Sequence, residues 1–191
     1  MIGKLIELNA CAEGLRWAEQ FSSLDEAWLN CSRTDWMIWF WAKVLPGENL
    51  NKCVRMCAQS VLHLWNAPDV VVRYLSTGSK SLREGVRQAT NTAADAAIMD
   101  MMAMEGRPEA VARAAAKAVY AAANAAADVV DWEAENVAAY AAARAAANAA
   151  AYAAAAKAST DEIKSKMESA RTRKYAELAN MIRSVQPLVP R

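Results

Sequence analysis

Twenty-nine of the fifty-one residues from Pro108 to Ala158 are alanine, and no glycine or proline interrupts the chain between Pro108 and Pro187. Alanine has the best intrinsic helix propensity and loses no rotamer freedom on folding, so this stretch is expected to be helical without much tertiary help. Its helices pack by their own rules. A methyl group buries little area and contributes little hydrophobic free energy per contact. In exchange it lets neighbouring helices approach to the short end of the usual spacing of about 8–10 Å. The expected result is a tight antiparallel stack with a thin core, and the thick core must come from elsewhere.

Elsewhere is the N-terminal part. Six of the seven tryptophans lie there: Trp17, Trp28, Trp36, Trp39, Trp41 and Trp65. The only β-branched run, Val70 to Val72, is too short for a strand pattern to compete. The chain therefore reads as one all-α domain over 1–191, a multi-helix array or bundle of about eight or nine helices. Residues 1–78 form short tryptophan-rich helices, 79–185 long alanine-rich ones, and 186–191 a tail.

Local signals divide the first part. Asn9 is expected to cap a first helix and Ser23-Leu-Asp-Glu26 to open a second as a capping box. Thr34 is expected to cap a third, ended by Pro46-Gly47, in which Trp36 and Phe40 share a face. Asn49 starts a fourth, with a stripe of Leu50, Cys53, Val54, Cys57, Val61 and Leu64, and Pro68 suits the first turn of a fifth. A helix from Ser81 to Met104 comes next, stopped by Glu105-Gly-Arg-Pro108. Ser159-Thr-Asp-Glu162 reads as a capping box for a last helix to Val185. Whether 108–158 is one helix or turns near Asp131 stays open, with a turn favoured because Asp131 can cap a helix beginning there.

Charge and motif content narrow the function. A formal net charge of +1 gives neither nucleic acid nor an anionic membrane surface an electrostatic reason to bind. No apolar leader follows Met1 and no uncharged apolar stretch is long enough to span a bilayer, so the cytoplasm is the expected location. Four cysteines, Cys11, Cys31, Cys53 and Cys57, are too scattered for a disulfide framework and read as buried thiols. Cys53 and Cys57 share a helix face, yet no second pair exists to complete a zinc site. His63, the only histidine, lies beside the fourth helix's stripe with no nucleophile on its own face. There is no phosphate loop or nucleophile elbow. The expectation is a binding protein without catalytic residues, metal or cofactor.

Two rows of large side chains interrupt the alanines. At 100° per residue, Arg113, Lys117, Tyr120, Asn124 and Asp128 fall within an arc of about 80°, and Asn136, Tyr140, Arg144, Asn148 and Tyr152 within about 160°. Solvated faces account for such rows, but tyrosine and arginine beside methyl-lined grooves also make contact surfaces. An arginine fork with an aromatic plane suits a nucleotide as well. The candidate binding residues are Arg113, Lys117, Tyr120, Tyr140, Arg144 and Tyr152.

The words Leu8-Asn-Ala-Cys-Ala-Glu-Gly-Leu-Arg-Trp-Ala18, Asp25-Glu-Ala-Trp28 and Asp35-Trp-Met37 with Trp39, ahead of the alanine/tyrosine tail, resemble the Imm5-like immunity protein family of bacteria and phages. The resemblance implies an alanine-rich helical protein that neutralises a protein partner, a toxin or a defence component, by binding it inside a bacterial cell. For a phage relative it implies an anti-defence role: sequestering a small nucleotide signal, or inhibiting a host defence complex in the manner of an anti-CRISPR. Self-association into a homo-oligomer is compatible with either.

Overall fold

The computed structural model describes residues 1–45, 47–102, 117, 119–127, 135–156 and 162–187, with the side chains at 96–102 and 135–140 excepted. Every regular element among the described residues is helical. Short helices come first: α1 (Ile2–Glu7), α2 (Ala12–Ala18), α3 (Leu24–Asn30), α4 (Thr34–Val44), α5 (Glu48–Gln59) and α6 (Asp69–Thr77). Long ones come after them: α7 (Arg83–Met102), a helical stretch α8 over 119–127, α9 (Glu135–Ala155) and α10 (Ile163–Val185). The described residues hold ten α-helices against about eight or nine expected, and α1 lies ahead of the first helix that the spacing marked. The junction near Asp131 and the Ser159–Asp161 part of the last capping box lie outside the described residues.

The alanine pattern shows where α9 sits. Ala142, Ala143, Ala146, Ala147, Ala149 and Ala151 are completely shielded from solvent. They cover much of the helix circumference, and α9 accordingly lies against α10, α4 and α5. Methyl-sized side chains let one helix meet three neighbours at close approach. In α8 the buried residues Val119, Ala122, Ala123, Ala126 and Ala127 keep the i, i+3, i+4, i+7, i+8 spacing of one core face. The bulky core is the tryptophan-rich half. Trp41, Met37 and Ile38 of α4 are buried, with Leu50, Cys53, Val54 and Cys57 of α5, and Leu178 and Ile182 of α10. One continuous apolar cluster joins these groups to the alanines of α8 and α9.

Several caps differ from expectation. The α2 cap is Cys11, whose Sγ accepts from the Gly14 amide at 3.4 Å, while Asn9 sits before it with a positive φ of 61°. Thr34 is already helical; its hydroxyl donates 2.6 Å to the Tyr175 carbonyl, and Arg33 precedes the helix. In the α3 box Ser23 accepts from the Glu26 amide as expected, but the Glu26 carboxylate takes Ser22 as its partner. α5 starts at Glu48 behind Gly47, and Pro68 is the residue before α6. α5 also ends at Gln59, which leaves His63 exposed in a separate turn of 3₁₀-helix, Leu62–Leu64. Gly78 closes α6 in the left-handed conformation, φ 69°, with the Arg55 guanidinium only 2.6 Å from where a Cβ would stand. The positive φ favours glycine there, and the guanidinium, the far end of a flexible side chain, would have to move aside for any larger residue.

Replacing Ala146 by leucine should cost about 1–3 kcal/mol, because a closed three-way contact has no room for three extra carbons. Leucine at exposed Ala121 of α8 should stay within about 0.5 kcal/mol of the parent. Urea denaturation of both variants checks the difference.

Candidate functional site

The site is built where the tryptophan-rich half meets α9 and α10. α10 presents Glu168, Arg171, Thr172 and Tyr175 at i, i+3, i+4, i+7, so one stripe of that helix faces a single cleft. α9 adds Arg144 and Asn148, four residues apart on the same side. Opposite stand the rings of Trp17 from α2 and Trp36 from α4, 5.7 Å apart and tilted by 57°. Together these walls enclose about 810 Å³, with Trp39 and Phe40 also reaching it. That is the size of space that holds a small organic molecule.

Polar contacts hold the walls in register. Arg33 forks onto Asp35, Nε to Oδ1 at 2.9 Å and Nη2 to Oδ2 at 2.8 Å, and reaches Glu13 at 3.4 Å. Its guanidinium lies 4.4 Å from the Trp36 ring centre and 5.3 Å from that of Tyr175, so it joins the two walls through their aromatic faces. Asp35 is buried, and the bidentate fork is what makes that burial tolerable. Arg183 of α10 donates to the carbonyls of Cys31, at 2.8 Å, and Trp28, at 3.3 Å, while the Trp28 indole donates 3.1 Å to the Gln186 carbonyl. The Thr34 hydroxyl on the Tyr175 carbonyl completes the clamp between α4 and α10.

Electrostatics distinguish the arginines. Arg33 is satisfied by two carboxylates. Arg144 and Arg171 make no hydrogen bond or ion pair among the described residues, and the Arg171 Nε is buried without a partner. Burial pushes the Tyr175 hydroxyl up to about 12; Asp35 adds to this, and Arg33, Arg144 and Arg171 act against it. Tyr175 is therefore a neutral donor at physiological pH. Burial likewise raises the Cys31 thiol, at the cleft floor, to about 11, which removes it as a nucleophile near neutrality. Cys53 and Cys57 are buried inside α5, where desolvation lifts both thiols. No group of three or more histidine, cysteine or acidic side chains is gathered as a metal would need, among the described residues.

The expected site residues are dispersed. Arg144 lines the cleft. Tyr152 is half-buried on α9, and Lys117 stands exposed ahead of α8. Tyr120 packs edge-on against Trp65, ring centres 4.6 Å apart, and its row-mate Asn124 accepts from Thr90 at 3.1 Å, so this row supplies packing contacts. Arg113 and the side chain of Tyr140 lie outside the described residues. Trp17, Arg33, Arg171 and Tyr175 are site residues that the sequence pattern did not single out, whereas Trp36 stood out there as part of an aromatic cluster that burial or a binding patch would explain. For Arg171 and Tyr175 the local signal was the shared 168/171/172/175 face of α10, which a helix otherwise rich in charged and polar residues does not set apart.

No helix among the described residues is long and apolar enough to cross a membrane. No family model, curated protein or solved structure matches the chain.

The raised groups set a pH window. Cys31 and Cys53, with ordinary values of 9.0, and Tyr175, at 10.0, all hold their protons more tightly when folded. Above pH 9 the unfolded chain loses these protons first, so folding stability should fall as pH rises from about 9 through 12. Melting temperature measured from pH 7 to 11 should be level up to about pH 8.5 and then decline.

Proposed function

We propose that the chain is a non-enzymatic binding protein that holds a small, ring-bearing ligand in the cleft between α2/α4 and α9/α10. One observation supports this reading: a space of about 810 Å³ with indole rings on one wall and arginines with unused donors on the other. Such a surface recognises a planar polar molecule by stacking and charge-assisted hydrogen bonds. Burial holds the Cys31 thiol protonated, and no histidine stands among the described residues around the cleft, which fits capture without turnover.

The resemblance to immunity proteins implies two kinds of capture. Occlusion of a toxin or defence protein would use an extended helical face; sequestration of a nucleotide-type signal would use a pocket. The cleft favours the second, because the large side chains of α8 and α9 are divided between packing, as at Tyr120, and the cleft, as at Arg144. A phage-borne sponge for a host immune nucleotide is the biological role that agrees with both resemblance and cleft.

Thermal denaturation against a panel of mononucleotides, cyclic dinucleotides and ADP-ribose checks the proposal. At 100 times its dissociation constant a ligand should add about 2.7 kcal/mol to stability. Tryptophan fluorescence should change in parallel, and Trp36→Ala should abolish both responses. A panel that leaves melting temperature and fluorescence unmoved would turn the search towards a protein partner.

A further inference from the structure

We infer that the α9/α10 wall of the cleft is an anion subsite, in which Arg144, Arg171 and the Tyr175 hydroxyl bind the phosphate of a nucleoside monophosphate whose ring lies towards Trp17 and Trp36. The inference rests on the small-ligand reading and makes it chemically specific.

The balance of charge around the cleft carries it. Three arginines and three carboxylates line the space: Arg33, Arg144 and Arg171, with Glu13, Asp35 and Glu168. Arg33, Asp35 and Glu13 form a closed group, bound to one another at 2.8 to 3.4 Å. What remains is Arg144 and Arg171 against a single exposed carboxylate, Glu168, which makes no ion pair with either among the described residues. The residual charge on this wall is positive, and it lies on groups whose donors are unspent.

Arg171 is the sharper case. Its Nε is shielded from solvent and meets no acceptor. A buried donor on a charged group is costly to leave unmade, and a doubly charged oxyanion is the acceptor that best satisfies a guanidinium fork. The cleft bears Tyr175 one turn further along α10 and Arg144 on the neighbouring helix. Both arginines act on the Tyr175 hydroxyl electrostatically, so the three groups share one neighbourhood. A hydroxyl that keeps its proton donates to an anion and does not repel it. Asn148 and Thr172 add neutral donors at the same wall. The opposite wall offers ring surface and little charge beyond the closed Arg33 group. A ligand matched to both walls has a flat ring at one end and a phosphate at the other.

Isothermal titration at low salt with three probes, AMP, adenosine and inorganic phosphate, distinguishes the contributions. AMP should bind at least about tenfold more tightly than either adenosine or phosphate alone, the gain expected of charge-assisted hydrogen bonds. Arg144→Gln and Arg171→Gln should each weaken AMP about tenfold or more and leave adenosine within about twofold. Arg144→Lys should recover only part of the loss, because it restores charge without the fork. Circular dichroism of each variant checks the fold, and Arg144, being exposed, gives the variant least able to disturb it. Adenosine and AMP binding equally, with both arginine variants at parental affinity, would overturn the anion subsite while keeping the cleft as a ring-binding site. Phosphate binding as tightly as AMP would also overturn it as a nucleotide subsite and leave a plain oxyanion site. Absence of binding by all three probes would overturn it as well, and a fluorescence response to another ring compound would then show whether the cleft reading survives.

Discussion

The methyl surface of α9 is the constraint on which the rest of the structure depends. A helix bearing leucine at 142, 146 and 149 would need its neighbours set back, and α4, α5 and α10 could not all close on it. Alanine gives up hydrophobic free energy per residue in return for close approach and for dispersion contacts made on several sides at once. Intrinsic propensity offsets part of that loss, since alanine loses least entropy on becoming helical. The large free-energy gain is concentrated where α4 carries Trp41, Met37 and Ile38 against α10's Leu178 and Ile182.

The cleft is a consequence of that arrangement. α9 and α10 lie side by side, and their outer stripes, Arg144 with Asn148 and Arg171 with Tyr175, come out on one surface. α4 packs on both helices, and the segment from the end of α3 to the start of α4 is fastened to α10 by the Thr34, Arg33 and Arg183 contacts. These fastenings are polar and directional, whereas the methyl packing beneath them is not. The site is therefore a joint between a rigid helical base and a set of short helices positioned by hydrogen bonds.

The chain announced its all-helical class through the alanine content and the lack of strand patterns, and both reflect local energetics. Ser23 was legible for the same reason, since its hydroxyl bonds an amide three residues on. Thr34 was not, because its hydroxyl leaves the local helix for a carbonyl 141 residues away. The described members of the Tyr/Arg rows lie on helices, but a wheel shows which residues share a face and never what the face meets. Tyr120 found Trp65, and Arg144 found a cleft whose opposite wall lies more than a hundred residues earlier. Tyr175 was hidden because tyrosine spaced with leucine and isoleucine reads as core, and it is in fact buried; Arg171 was hidden among the many charged residues of α10.

If α9 binds both halves into one cooperative structure, the tryptophans and the alanine helices must unfold together. Six of seven tryptophans report the first part, while far-ultraviolet circular dichroism is weighted towards the long helices of the second. Urea unfolding followed by both signals on one sample measures this directly. Superimposable transitions with a common midpoint and slope are the expected result. A fluorescence transition completed while most of the helical signal persists would contradict the account, because the alanine helices would then stand without the short helices that form the cleft.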